Sequence, residues 1–126
     1  MALERAVLWL DHHQGQVLQF NKEQVIAQKL RDHPHDTGQH HSAVRTEHEF
    51  FSSVCDALSG IGAVLVTASR SVQADFRHYV SKHRPGVSPQ LVGWETVDRP
   101  TEGELIAMAK KFFNQQDQLL GDGSRR

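Results

Sequence analysis

ERAVLWLD, Glu4 to Asp11, is the stretch on which the reading of the whole chain turns. Val7, Leu8, Trp9 and Leu10 follow one another without a polar break, where a strand wetted on one side would alternate. Unbroken apolarity over this length predicts a strand covered on both faces, and so the centre of a sheet. HHQG then offers a turn ending in glycine, and QVLQF, Gln16 to Phe20, resumes as a second strand. Asn21, Lys22 and Glu23 are turn-compatible, and QVIAQKL, Gln24 to Leu30, reads as a third strand. The chain opens as a three-stranded meander.

Downstream the period changes. Thr46 and Glu49 have capping-box spacing, which predicts a helix start, and Phe50, Phe51, Val54, Cys55 and Leu58 then recur on one helical face. Gly60 and Gly62 stop that helix, and AVLVTA, Ala63 to Ala68, is a short buried strand. Ser69 or Ser71 can cap a second helix lined by Val72, Phe76, Tyr79 and Val80, which Pro85 and Gly86 end. QLVGWETV, Gln90 to Val97, is a fifth strand. Thr101 and Glu104 form a second capping box, after which Leu105, Ile106, Ala109, Phe112 and Phe113 mark a third helix.

The order is β-β-β-α-β-α-β-α. Right-handed crossovers between parallel strands turn it into a mixed five-stranded sheet of order 3-2-1-4-5 with helices on both faces, a small ribonuclease H-like α/β fold. One domain over residues 1–116 is expected, with a His-rich loop at 31–47 and a polar C-terminal tail at 117–126.

Composition narrows the function classes. At 126 residues the chain can bury one core, and 38% apolar with 23% charged residues fits a globular protein. Fourteen Lys and Arg against fifteen Asp and Glu exclude a broadly basic nucleic-acid face while permitting a local patch. The single cysteine, Cys55, excludes an internal disulfide framework and fits a reducing compartment. No signal peptide is evident and no run approaches the roughly 20 apolar residues of a membrane span. A cytoplasmic protein without membrane attachment is expected.

In a 3-2-1-4-5 sheet the connections reverse direction between strands 1 and 4, and open α/β sheets bind ligands outside the strand ends at such a point. Strand 1 delivers Asp11, His12 and His13 there, and strand 4 delivers Ser69, Arg70 and Ser71. The latter three open a helix, where free N–H groups favour an anion. The plainer reading makes the serines ordinary caps and leaves Arg70 in water. Two-metal nuclease or hydrolase chemistry centred on Asp11 is an alternative, but it needs several carboxylates, and Glu47 and Glu49 read as helix-dipole and capping partners.

RDHPHDTGQHHSAVRTEHEF, Arg31 to Phe50, holds five of the nine histidines. His33, His35, His40 and His41, with Asp32 and Asp36 near them, offer donors suited to zinc or another divalent transition metal. Their spacing matches no structural zinc motif, so a loop of plainly titrating imidazoles is the alternative. No other cofactor is expected. Cys55 and the phenylalanines read as core rather than as catalytic or stacking groups.

The pattern of AVLWLDHHQGQVLQF, VLVTASRSVQADFRHYV and GWETVDRPTEGELIAMAKKFF, spread over roughly Arg5 to Phe113, resembles the middle domain of archaeal and eukaryotic class-1 peptide release factors and of Pelota. It looks still more like the small bacterial single-domain "translational machinery protein" family. Asp75-Phe76 occupy the place of an Asp-Phe pair in the release-factor helix. Release factors carry a Gly-Gly-Gln loop ahead of the first long helix; here Thr37-Gly38-Gln39 stand there, one glycine short. The resemblance therefore implies the fold and a ribosome or RNA partner, without release activity of the chain's own. Gly38, Gln39, Arg31, Arg45 and Arg70 are the contact candidates it suggests, and a homodimer is left open.

Overall fold

The structure, a computed structural model, describes residues 5–20, 24–31 and 43–124, with only the backbone of 43–45 and 119–124. The strands are β1 (Arg5–Leu10), β2 (Gln14–Phe20), β3 (Val25–Arg31), β4 (Ala63–Ala68) and β5 (Leu91–Thr96). The helices are α1 (Ala43–Ala57), α2 (Arg70–His83) and α3 (Glu102–Ser124), with a 3-10 turn at Pro85–Gln90. The sheet order is β3-β2-β1-β4-β5, as the sequence predicts. β1 pairs antiparallel with β2 and parallel with β4, β2 antiparallel with β3, and β4 parallel with β5.

β1 is central because both its faces are apolar. Ala6, Leu8 and Leu10 point to one side and meet Phe50, Phe51, Val54 and Leu58 of α1 and Val72 and Phe76 of α2 in a single cluster. Val7 points to the other, where Leu105, Ala109 and Phe113 of α3 cover it and Trp9 packs at the margin. β4 is buried along its whole length for the same reason. Its one polar residue, Thr67, donates its hydroxyl to the Leu8 carbonyl at 2.9 Å, so that buried hydroxyl is not left unpaired.

The helix ends follow local chemistry. Ser69 caps α2 by accepting the Val72 N–H, and Arg84 closes it by donating its own N–H to the Val80 carbonyl. The Thr101 and Glu104 capping box forms in both directions, at 2.7 and 3.1 Å. After α1, Gly60 takes φ 82°, a backbone that L side chains disfavour, and Gln90 donates to the Leu58 and Ile61 carbonyls, both at 2.7 Å. Arg84 reaches back to Asp56 at 2.9 Å and to Ser52, tying the tail of α2 to α1.

Two boundaries differ from the sequence reading by more than two residues. α1 begins at Ala43 rather than after Thr46, because Ala43, Val44 and Arg45 hold nothing that breaks a helix and the Thr46–Glu49 spacing also fits a helix interior. Arg45 is thus helical, and the histidine segment lies between Arg31 of β3 and Ala43 of α1. The stretch from 117, read as a polar tail, continues α3 as far as Ser124. Asp117 holds it there through a bidentate pair with Arg5, one arm 2.9 Å long. The turn residues 21–23 lie outside the described residues, but the pairing of Phe20 with Val25 shows the hairpin.

Burial separates two features that look alike in sequence. A Cβ placed on Gly93 of β5 would stand 2.5 Å from the Phe112 ring and 3.1 Å from Leu65, whereas one on Gly86 would meet nothing within 4 Å. Gly93→Ala is expected to lower the unfolding free energy by about 1–3 kcal/mol through overpacking. Gly86→Ala should stay within about 0.5 kcal/mol of the parent. Urea unfolding of the two variants checks the contrast.

Candidate functional site

The carboxyl ends of β1 and β4 lie side by side, Leu10 pairing with Ala68, so the segments that follow them emerge together. After β1 the chain makes a tight turn held by Asp11. Its Oδ1 accepts the N–H groups of His13 at 2.7 Å and Gln14 at 3.0 Å, and its own N–H donates to the Gln14 carbonyl at 2.8 Å. Asp11 therefore shapes the turn. The turn in turn projects His12 across the sheet end toward the start of α1, where His12 Nδ1 lies 3.1 Å from Glu47 Oε2.

Asp75, from the second turn of α2, joins them. One ligand atom each of His12, Glu47 and Asp75 lies within 4.8 Å of the others, the one such group of three found among the described residues. Each member sits on an element positioned by its neighbours: Glu47 on α1, whose Phe50 and Phe51 are in the core, Asp75 on α2 beside buried Phe76, and His12 on the Asp11 turn. His12 is half exposed and Glu47 less so, with side-chain accessibilities of 50% and 23%.

Around this group the other switch-point residues take ordinary parts. Ser69 is the α2 cap, its Oγ 3.4 Å from both the Val72 nitrogen and the Ser71 Oγ. Arg70 is exposed as the first helical residue. Gln73 bridges the ends of β4 and β5, donating to the carbonyls of Ala68 (2.9 Å) and Glu95 (3.1 Å) and to the Thr96 hydroxyl (3.0 Å). Among the described residues the carboxylates that converge here are Glu47 and Asp75, while Asp11 holds the turn.

Arg31 is the exposed last residue of β3, opposite Gln14, at this same end of the sheet. Arg45 lies in the first turn of α1; its side chain, like Gly38, Gln39, His33, His35, His40 and His41, lies outside the described residues. His48 turns instead toward α2, making tilted ring contacts with Tyr79 and His83 at centroid distances of 5.2 and 5.3 Å. Two shallow clefts run along α3, one bounded by Arg5, Phe20, Lys110 and Asp117, the other by Glu95, Met108, Lys111 and Gln115. Neither includes a residue of the His12 group. Sequence reasoning missed Glu47 and Asp75 as site members; the signal that could have found them was the helix phase that turns both toward the end of β1.

Cys55 is 1% exposed among α1 core residues, and burial pushes its thiol from the ordinary 9.0 up to about 11, against the lowering effect of Arg84. It is a packing residue and not a nucleophile.

With this geometry in place, comparison with solved structures is informative. The chain matches the Thermoplasma acidophilum Pelota protein with a TM-score of 0.57 at 12% identity, covering 81% of this chain and 30% of that one. Archaeoglobus fulgidus Pelota matches with a TM-score of 0.57 at 15% identity over 86% of this chain and 31% of that one. The archaeal translation termination factor aRF1 matches with a TM-score of 0.55 at 13% identity over 96% and 42%. The chain thus has the fold of the middle domain of Pelota and aRF1 and spans less than half the length of each. No protein-family model matches the sequence, and no curated protein is significantly similar to it. No helix among the described residues is long and apolar enough to cross a membrane.

The thiol gives a test. Because folding holds Cys55 protonated, its contribution to stability is complete below the unfolded thiol value near 9 and is lost as pH rises from there through about 11. The urea midpoint of the parent should therefore fall more steeply between pH 9 and 11 than that of Cys55→Ala. Thiol reagents at pH 7.5 should label the parent only after unfolding.

Proposed function

We propose that the protein is a cytoplasmic translation-related module that binds the ribosome or RNA and does not itself release peptides. The observation that carries this reading is the shared fold: the domain found within two Pelota proteins and an archaeal termination factor makes up most of this chain.

Charge placement supports a nucleic-acid partner. The chain is nearly neutral overall, with a net charge of −1, but by backbone position Arg31, Arg45 and Arg70 all fall at the β1–β4 end of the sheet. Guanidinium groups on Arg31 and Arg70 would give that end a local affinity for phosphate where the composition provides no general one. The segment carrying Gly38, Gln39 and the four loop histidines departs from β3 and rejoins at α1 at that same end, which is where a contacting element belongs in this reading. Release chemistry is left out because Thr37 stands where the release-factor loop has its first glycine.

Sedimentation of purified, tag-free protein with ribosomes at low and moderate salt tests the proposal. Association should weaken as salt rises, since each phosphate contact releases counterions. Arg70→Ala should flatten the dependence of log K on log salt by about 1. Replacing residues 33–41 by Gly and Ser should abolish co-sedimentation. The protein should not hydrolyse peptidyl-tRNA on ribosomes above the rate without it. Absence of association at either salt concentration would overturn the reading.

A further inference from the structure

We propose that His12, Glu47 and Asp75 bind one divalent transition-metal ion of the zinc class, clamping the β1–β2 turn, α1 and α2 together. This goes beyond the translational reading and does not depend on it.

The first argument is convergence. The three residues come from three elements, and His12 and Glu47 are 35 positions apart in sequence, yet their ligand atoms lie within 4.8 Å of one another. None is held there by chain proximity. Each is carried on an element whose direction is set elsewhere, by the Asp11 turn or by buried aromatic rings in the next helical positions.

The second argument is charge. Bringing two carboxylates this close is unfavourable unless something positive lies between them. An imidazole that binds an ion through a nitrogen lone pair contributes no charge, so the two carboxylates would match a dication. A dication answers both the charge and the lone pairs at once.

The third is donor chemistry and spacing. One imidazole nitrogen with two carboxylate oxygens suits zinc and its neighbours rather than magnesium or calcium, which take oxygen alone. Zinc bonds of 2.0–2.2 Å in a tetrahedron place ligand atoms about 3.4 Å apart. His12 Nδ1 and Glu47 Oε2, in hydrogen-bond contact at 3.1 Å, stand near that spacing with the ion taking the place of the shared proton, and Asp75 lies on an exposed helix face within 4.8 Å of both. Three protein ligands leave the fourth position open to water or to an anionic oxygen, and partial exposure of His12 gives the ion an entry path.

The loop histidines must be removed from the measurement, since imidazoles in a polar segment take up metal unspecifically. The test protein is therefore the full chain carrying His33→Ala, His35→Ala, His40→Ala and His41→Ala. Equilibrium dialysis against Zn2+, read by elemental mass spectrometry, should find one ion per chain in this variant. Adding His12→Ala, Glu47→Gln or Asp75→Asn should weaken binding at least tenfold, with the circular dichroism spectrum unchanged. Asp75→Asn keeps the side-chain shape, so its result stands even where His12→Ala disturbs the turn. Zn2+ should raise the thermal midpoint of the loop variant and not that of its Asp75→Asn derivative. Co2+ should show ligand-field absorption in the first protein that is lost in the second. No stoichiometric Zn2+ in the loop variant, or equal binding after Asp75→Asn, overturns the proposal.

Discussion

Everything in this fold is arranged about β1, a six-residue strand paired along both edges and covered on both faces. Ala6, Val7, Leu8 and Leu10 are buried and both backbone edges are paired, so the hydrogen bonds of the strand are met inside the protein. The antiparallel partner comes cheaply, from a three-residue turn. The parallel partner demands a crossover, which α1 supplies, and the handedness of that crossover decides which face α1 covers. α3 is left to cover the other. Thr67 of β4, the one polar residue among those lining the described core, is tolerated because its hydroxyl meets the Leu8 carbonyl of neighbouring β1.

This arrangement explains why a largely polar, nearly neutral chain gathers its reactive groups at one place. The two parallel strands end together, and each hands over at once to a polar segment: the Asp11 turn from β1, the Ser69 cap from β4. α1 starts at that end as well, bringing Glu47. Carboxylates, imidazoles and arginines are therefore mixed at that end of the sheet. The opposite end is closed by Gln90 and by Arg84 with Asp56, which serve the helix termini.

The architecture was legible in the sequence because it rests on apolar periodicity. The continuous run Val7 to Leu10, the helical face Val72, Phe76, Tyr79 and Val80, and the strand Ala63 to Ala68 all form where the pattern puts them. The site was legible only in part. His12 could be placed at the switch point from topology, but Glu47 has a sufficient local explanation as an acidic residue near a helix start, and Asp75 has no local signal at all. Their meeting depends on the phase of two helices, which the apolar faces Phe50–Val54 and Val72–Phe76 carry but which becomes a site only once the helices are set against β1. The true length of α3 was hidden likewise: Gln115 to Gln118 look like solvated tail until Asp117 is seen against Arg5, 112 positions away. Cys55 was assigned to the core from its helical neighbours, and burial bears that out.

The sheet is also a partition. The cluster beneath α1 and α2 includes Phe50, Phe51, Phe76 and Tyr79 together with the longer run of sheet residues, whereas the layer under α3 rests on Leu105, Ala109 and Phe113 and a few partners. The two layers share a backbone but no side chains. Local opening free energies follow the apolar contact each unit makes, so amides of α3 are set to exchange through a low-energy excursion while those of β1, β4 and α2 wait for global unfolding. The chain thus has a soft face and a hard face, and its converging polar groups are mounted on the hard one.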